Sequence, residues 1–352
     1  TALSALQTEL PAAKSGLLIS SWFGNDLRCE TCEIKPKVEY TSVDGQEQPW
    51  SVTGVTRDTA EEVVRLLDSP VYGGTPSDTS MLQAIAAMNA VGQSVVFYPF
   101  LLMEQLEGNS LPDPWSDATD QPVLPWRGRI TLSKAPDQVG TTDRTAAAEA
   151  EVAAFFGTAQ ASDFTVTPGS VSYTGPAEWS YRRFILHYAA LCAASDGVEA
   201  FCIGSEMRAL TQIRGAGDSF PAVEQMVTLL QDVRTLLGPS VKLTYAADWT
   251  EYSGYNAGDG DRYFHLDALW SHPELNAIGI DNYMPLSDWR EGVEHVDAQA
   301  WDDIYNLRYL KSNIEGGEGY DWYYGSPEER EAQLRTPITD GAYDEPWVYR
   351  YK

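Results

Sequence analysis

Five stretches of this chain are predominantly apolar rather than alternating, and each ends in polar or aromatic residues. They are GLLISSWF (16–23), QSVVFYPFLLM (93–103), VEAFCIGSEM (198–207), VKLTYAADW (241–249) and LNAIGIDNYMPL (275–286). A strand with one wet face alternates apolar and polar residues, whereas a continuous short run belongs to a strand buried on both faces. Between the runs lie SDTSMLQAIAAMNAVG (77–92), EWSYRRFILHYAALCAAS (178–195) and PAVEQMVTLLQDVRTLLG (221–238), whose apolar residues recur at helical spacing. Ser77 or Asp78 suits the N-cap of the first, and Gly238 followed by Pro239 stops the last. Strand and helix in alternation imply βαβ units and a parallel sheet, closed as a barrel or open and doubly wound.

Two features favour the closed form. No Gly-rich phosphate loop follows the first run, as it would in a dinucleotide-binding sheet, and polar residues gather after many strands rather than at one switch point. The fold expected is therefore an α/β TIM (β/α)8-type barrel forming one domain over 1–352, a length such barrels reach as a single unit. With SPVYGG (69–74) as strand two and QSVVFYPF as strand three, the run ending at Glu206 is strand four. The segment 104–144, rich in Pro, Gly and Trp, is too long for a simple connection and is expected to lie over the barrel mouth, bringing Trp115 or Trp126 to it.

Composition removes several function classes. A net charge of −27 argues against nucleic acid, whose phosphates need clustered Lys and Arg. No apolar run approaches the roughly 20 residues of a membrane span, and no charged-then-apolar leader opens the chain. Cys29 and Cys32 form a lone CETC, Cys192 and Cys202 read as core, and the four histidines show no ligand spacing. No metal or cofactor is expected.

In barrel enzymes the catalytic groups stand at the C-terminal ends of the strands. Glu206 closes the AFCIGS run and so is aimed at the mouth, as a candidate acid/base, with Asp281 as a supporting carboxylate. Pyranose rings offer apolar faces to aromatics and hydroxyls to carboxylates, amides and indole N–H groups. That mixture recurs at the strand ends: Trp22, Asn25 and Asp26 after the first, Tyr98 in the third, Ser205 beside Glu206, Asp248, Trp249 and Glu251 after the fifth, Asn282 and Tyr283 after the sixth. These are the candidate substrate-binding residues.

Longer strings carry a family resemblance. FCIGSEMRALTQIRG, AADWTEYSGY, HLDALWSHPELNAIGIDNYMPLSDWR, GGEGYDWYY and RTPITDGAYDEPWVYRYK, together with YGGTPSD, FYPFLLM, GNSLPDPW and WRGRIT, resemble the TIM-barrel-like, glycoside-hydrolase-like domain in the tail-tip hub protein of gene transfer agents and related siphophages. The resemblance implies a domain of a phage-tail-like particle, located at the tail tip and acting at the host cell envelope, with cell-wall or envelope glycan and other tail-tip proteins as partners. It also implies that the barrel is incomplete here, strands one to about six being present. In relatives the chain continues past the PWVYRYK element into a strand whose Glu takes the nucleophile position, beyond Lys352 in this numbering. GSE stands where the superfamily commonly has Asn-Glu, so Ser205 replaces the amide that holds a sugar hydroxyl. Three readings follow: a retaining glycoside hydrolase, a glycan-binding adsorption module without turnover, and a structural block of the tail tip.

Overall fold

The computed structural model describes residues 2–252, 254–257, 260–283, 285–313 and 322–337, in two compact units, Thr1–Asp281 and Asn282–Lys352. The first unit is built on a six-stranded sheet of β1 (Ser15–Gly24), β2 (Ile34–Lys35), β3 (Ser94–Met103), β4 (Ala200–Ser205), β5 (Lys242–Asp248) and β6 (Ala277–Asp281). Their spatial order is β6-β5-β4-β3-β1-β2. Every neighbouring pair is parallel except β1 with the short β2. The runs around 200, 242 and 277 are thus adjacent strands with their C-terminal ends at one edge.

The expected second strand is absent from this sheet, and β1 pairs directly with β3 from Ser15↔Ser94 to Gly24↔Met103. Ser69–Pro70 instead closes a two-residue hairpin with Arg65–Leu66. The turn residues Leu67 and Asp68 have φ of 49° and 62°, the left-handed pair that reverses a chain tightly, and Pro70 has no N–H to give a central ladder. Residues 34–75 form short pairings and hairpins beyond the end of β1, so the Glu206 strand is the third parallel strand counted from β1, not the fourth.

Four helices cover one face: α1 (Asp78–Ala90), α2 (Ala146–Phe156), α3 (Tyr181–Ala193) and α4 (Pro221–Leu237). Ser77, Thr145 and Ser180 cap the first three by accepting hydrogen bonds from the amides of Ser80, Ala147 and Arg183. Helix α2 leaves no periodic signal in the sequence, because AAAEAEVAAFF is almost wholly small or apolar and shows no clear stripe. Its Phe155 and Phe156 ring centroids lie 5.3 and 5.5 Å from that of Tyr181 on α3, which recruits the helix into the core.

Alternation along β1 shows how the sheet divides its faces. Ser20 and Trp22 turn toward the helices, where both bond the Tyr188 hydroxyl of α3, while Leu17 and Ile19 turn the other way beside Tyr98. On that second face Tyr98, Cys202 and Ala246 make a small cluster with Phe100. Leu17 and Ile19 remain 55% and 48% exposed, since no further strand among the described residues closes over them.

In the second unit the described residues 282–283, 285–313 and 322–337 are tied by an Arg335 side chain that bonds both Asp288 and Asp297. The terminal element from 338 to 352, including PWVYRYK, lies outside the described residues. No helix of the described residues is long and apolar enough to cross a membrane.

Candidate functional site

The end of β4 is irregular where a plain strand would be easiest to build. Its register against β5 shifts between Cys202 and Ser205, a bulge of the kind that re-aims a side chain. Gly204 sits in this shift, and a Cβ there would lie 2.1 Å from the Tyr181 hydroxyl, which donates to the Ile203 carbonyl. Glu206, the next residue but one, has φ 51°. An L-residue with a bulky side chain reaches this region at a cost of roughly 1–2 kcal/mol, so neighbouring bonds must hold it.

Those bonds come from both sides of the residue. The Glu206 amide donates to Ala246 O at 2.8 Å, and the Met207 amide donates to the Tyr245 hydroxyl at 2.9 Å. Arg127 holds Ser205: Nε donates to the Ser205 carbonyl at 2.9 Å, and Nη2 to Ser205 Oγ at 2.8 Å. The same Nη2 is 2.9 Å from Glu206 Oε2, which also accepts from Trp126 Nε1 at 2.8 Å. Oε1 makes no hydrogen bond with the described residues. The guanidinium stacks 3.9 Å from the centroid of Phe100, so one arginine joins the loop, the sheet face and the carboxylate.

Trp126 and Arg127 open the short turn Arg127–Arg129 within the long segment 104–144. Trp115 supports this turn from behind, donating its indole N–H to Arg129 O at 2.9 Å, and does not bond Glu206. Glu206 is 6% exposed. Burial pushes its carboxyl above the ordinary value, against the opposing pull of Trp126 and Arg127, and the charges of Asp281 and Asp248 push it further up.

Asp281 ends β6 and accepts from the Tyr98 hydroxyl at 2.9 Å, which links β3 to β6 across the face that carries Phe100. Asp248 ends β5, is buried, and accepts from the Thr250 amide. Trp249 beside it is half-buried. These residues and Ser205 therefore gather at the same end of the sheet as Glu206. Asn282 and Tyr283 belong to the second unit and are exposed.

Other candidates are placed elsewhere or are already engaged. Trp22 is wholly buried between the sheet and α3, its ring against Phe184 and Tyr188, because its position in the β1 alternation faces the helices. Asp26 is buried and accepts from Arg28, Gln121 and Thr31; burial alone would raise its carboxyl, but the Arg28 bond holds it below the ordinary range. Asn25 is exposed and its Oδ1 accepts the Glu33 amide. Glu251 is 1% exposed with both oxygens bonded inside the protein, so no face of it is left for a ligand. Ser205 Oγ is taken up by Arg127. Cys29, Cys32, Cys192 and Cys202 are free and buried. No group of three His, Cys, Asp or Glu among the described residues could hold a metal ion.

Arg127 is not among the residues the sequence marks out. Its only signal is the pair of arginines in WRGR within an otherwise acidic chain, and nothing local indicates that the first of them reaches β4.

Residues 179–352 match the family model described as the GTA TIM-barrel-like domain. No curated protein matches the sequence. Among solved structures, a GH113 β-1,4-mannanase in complex aligns with a TM-score of 0.39 at 15% identity, over 81% of this chain and 56% of its own. The GH113 β-mannanase from Alicyclobacillus acidocaldarius aligns with a TM-score of 0.40 at 16% identity, over 97% of this chain and 77% of its own. This chain thus spans little more than half the length of the first of these enzymes. Parallel strands alternating with helices, together with the family match, make the protein an α/β fold of TIM-barrel type whose barrel is not closed by the described strands.

Proposed function

We propose that this chain carries a glycoside-hydrolase-like site with Glu206 as its acid/base, within the tail-tip hub of a phage-like or gene-transfer particle, where it acts on cell-wall or envelope polysaccharide of the host. The observation that carries this reading is the treatment of one carboxylate. Glu206 is set at the C-terminal end of a parallel strand, in a disfavoured backbone conformation held by flanking hydrogen bonds, with Oε2 clamped and Oε1 left open. Positive φ also occurs at turn residues such as Leu67 and Asp68; what sets Glu206 apart is that it coincides with a buried carboxylate at a strand end whose Oε2 is held by Trp126 and Arg127.

The chemistry follows from the two oxygens. A glycosidic oxygen arriving at Oε1 would take the proton that burial keeps on the carboxyl more readily than on an exposed glutamate. Tyr98, Trp126 and Trp249 supply ring faces and polar tips of the sort that pack on sugars. Asp281 and Asp248 raise the proton affinity of Glu206, and Asp281 is the supporting carboxylate. Retention of configuration needs a partner carboxyl about 5–5.5 Å away, and inversion a wider gap.

One observation favours a second reading, glycan binding without cleavage. Arg127 lies on Glu206 Oε2, and a guanidinium there opposes the protonated state that an acid requires. Both readings are tested with the full protein on purified peptidoglycan, capsule and lipopolysaccharide, by following new reducing ends and pull-down of each fraction. The glycosidase reading expects cleavage by the wild type and a fall on the order of 10²- to 10⁴-fold for Glu206→Gln with binding retained. Binding without cleavage selects the adsorption reading, and neither activity, with particle assembly impaired on deletion, leaves a structural block.

A further inference from the structure

We propose that Glu251 is a positioning residue for Glu206: its buried carboxyl, acting through the Tyr245 hydroxyl, holds the Met207 amide and so maintains the left-handed backbone that aims the Glu206 carboxylate. The proposal rests on the reading of Glu206 as the functional carboxyl.

The connection is continuous in the structure. The Tyr245 hydroxyl accepts the Met207 N–H at 2.9 Å and donates to Glu251, 3.3 Å from Oε1 and 3.2 Å from Oε2. A hydroxyl has one proton to donate, so an acceptor at Glu251 orients it and leaves its lone pairs for the amide. Glu251 is itself fixed: the Asp248 amide donates to Oε2 at 2.7 Å, and Thr211 Oγ1 donates to Oε1 at 2.8 Å. The groups around it are therefore Tyr245 and Asp248 from β5, Thr211 from the turn after Glu206, and His265, whose Nε2 is 3.3 Å from Thr211 Oγ1. Tyr245 is wholly buried on the helix side of the sheet, so neither it nor Glu251 can meet a ligand directly.

The effect of this arrangement is to fix the direction of residue 206. Met207 follows the residue with φ 51°, and its amide would point elsewhere if Glu206 relaxed to ordinary strand or helix geometry. Losing the Tyr245 bond frees the Met207 amide, leaving on the C-terminal side only the Thr211 amide bond to the Met207 carbonyl, while Arg127 and Ala246 still hold the N-terminal side.

The test uses amide hydrogen exchange of the full chain, which reads the restraint whether or not the protein cleaves any glycan. Tyr245→Phe and Glu251→Ala should each lower the protection of the Met207 amide at least tenfold, with the amides of Phe97 and Leu230, remote from the bond, changed by less than threefold. Glu251→Gln keeps a carbonyl acceptor for the tyrosine and should retain protection within about threefold of wild type. Equal loss at all three amides, or no loss at Met207 in Tyr245→Phe, overturns the proposal and assigns Glu251 to the core alone. If the wild type hydrolyses glycan, Tyr245→Phe should lower kcat with KM little changed. Failure of wild-type hydrolysis would count against the glycosidase reading while the exchange data still decide the role of Glu251.

Discussion

Glu206 holds two unfavourable conditions at once, a left-handed backbone and a buried acidic group. The first can be isolated by comparing two substitutions that both delete the carboxylate. Glu206→Gly accepts φ 51° freely and Glu206→Ala does not, so the glycine variant should be the more stable of the two by about 1 kcal/mol in urea unfolding. Equal stability would mean that the backbone relaxes in both. The second condition is set by opposing terms, with burial raising the carboxyl and the Trp126 bond and Arg127 lowering it. Arg127→Met removes a lowering influence while keeping contact with Phe100. The Glu206 titration, followed by carboxyl-carbon NMR, should then move up. An unchanged midpoint would show that the ion pair does not govern the protonation of this group. Because the native carboxyl already lies above its ordinary value, Glu206 favours the fold at low pH and loses that contribution as pH rises through its native midpoint.

At the scale of one element, the turn after β5 carries a buried carboxyl, Glu251. Glu251 is pushed up to about 7 chiefly by burial, with Asp248 adding to the effect and the Thr211 and Asp248-amide bonds opposing it. A carboxyl whose native value exceeds its unfolded one binds more protons when folded, so stability is highest below the ordinary glutamate range and declines as pH rises toward 7. The full decline is on the order of 3 kcal/mol. His265 acts in the opposite sense: burial lowers it to about 4, so its contribution appears as pH rises from there toward 6.5. The difference between wild type and Glu251→Gln cancels the histidine. That difference should favour wild type most near pH 4.5 and shrink steadily to pH 8 in guanidinium melts, and a flat difference would place the Glu251 titration outside this window. The same element shows why Glu251 reads as a ligand residue in sequence: TEYSGY after an apolar run has the polarity of a mouth, and only the turn that folds it back beneath β5 buries it.

Across the whole molecule the sheet buries its two faces unequally. Phe97 faces the helices and is wholly buried, whereas Leu17 on the opposite face is 55% exposed. Phe97→Ala should cost about 3–5 kcal/mol, and Leu17→Ser less than about 0.5 kcal/mol in this chain. A Leu17→Ser cost above about 1 kcal/mol would show that this face is covered in solution. What the sequence by itself determined was local: the apolar runs must be strands, amphipathic runs must be helices against them, and a carboxylate ending such a run stands at a strand end. The burial on both faces expected of those runs fails at Leu17 and Ile19 and at Ile278 and Ile280, which stay exposed in this chain. It could not determine that SPVYGG turns into a hairpin, that Trp22 faces the helices, or that α2 forms, since each depends on which partner is available rather than on periodicity. The site was decided at longer range still. Arg127 and Trp126 meet Glu206 only because a loop leaving β3 passes over the end of β4, and the positive φ of Glu206 persists only because Ala246, Tyr245 and Arg127, none of them its sequence neighbours, each satisfy a hydrogen bond that the left-handed turn would otherwise leave unmade.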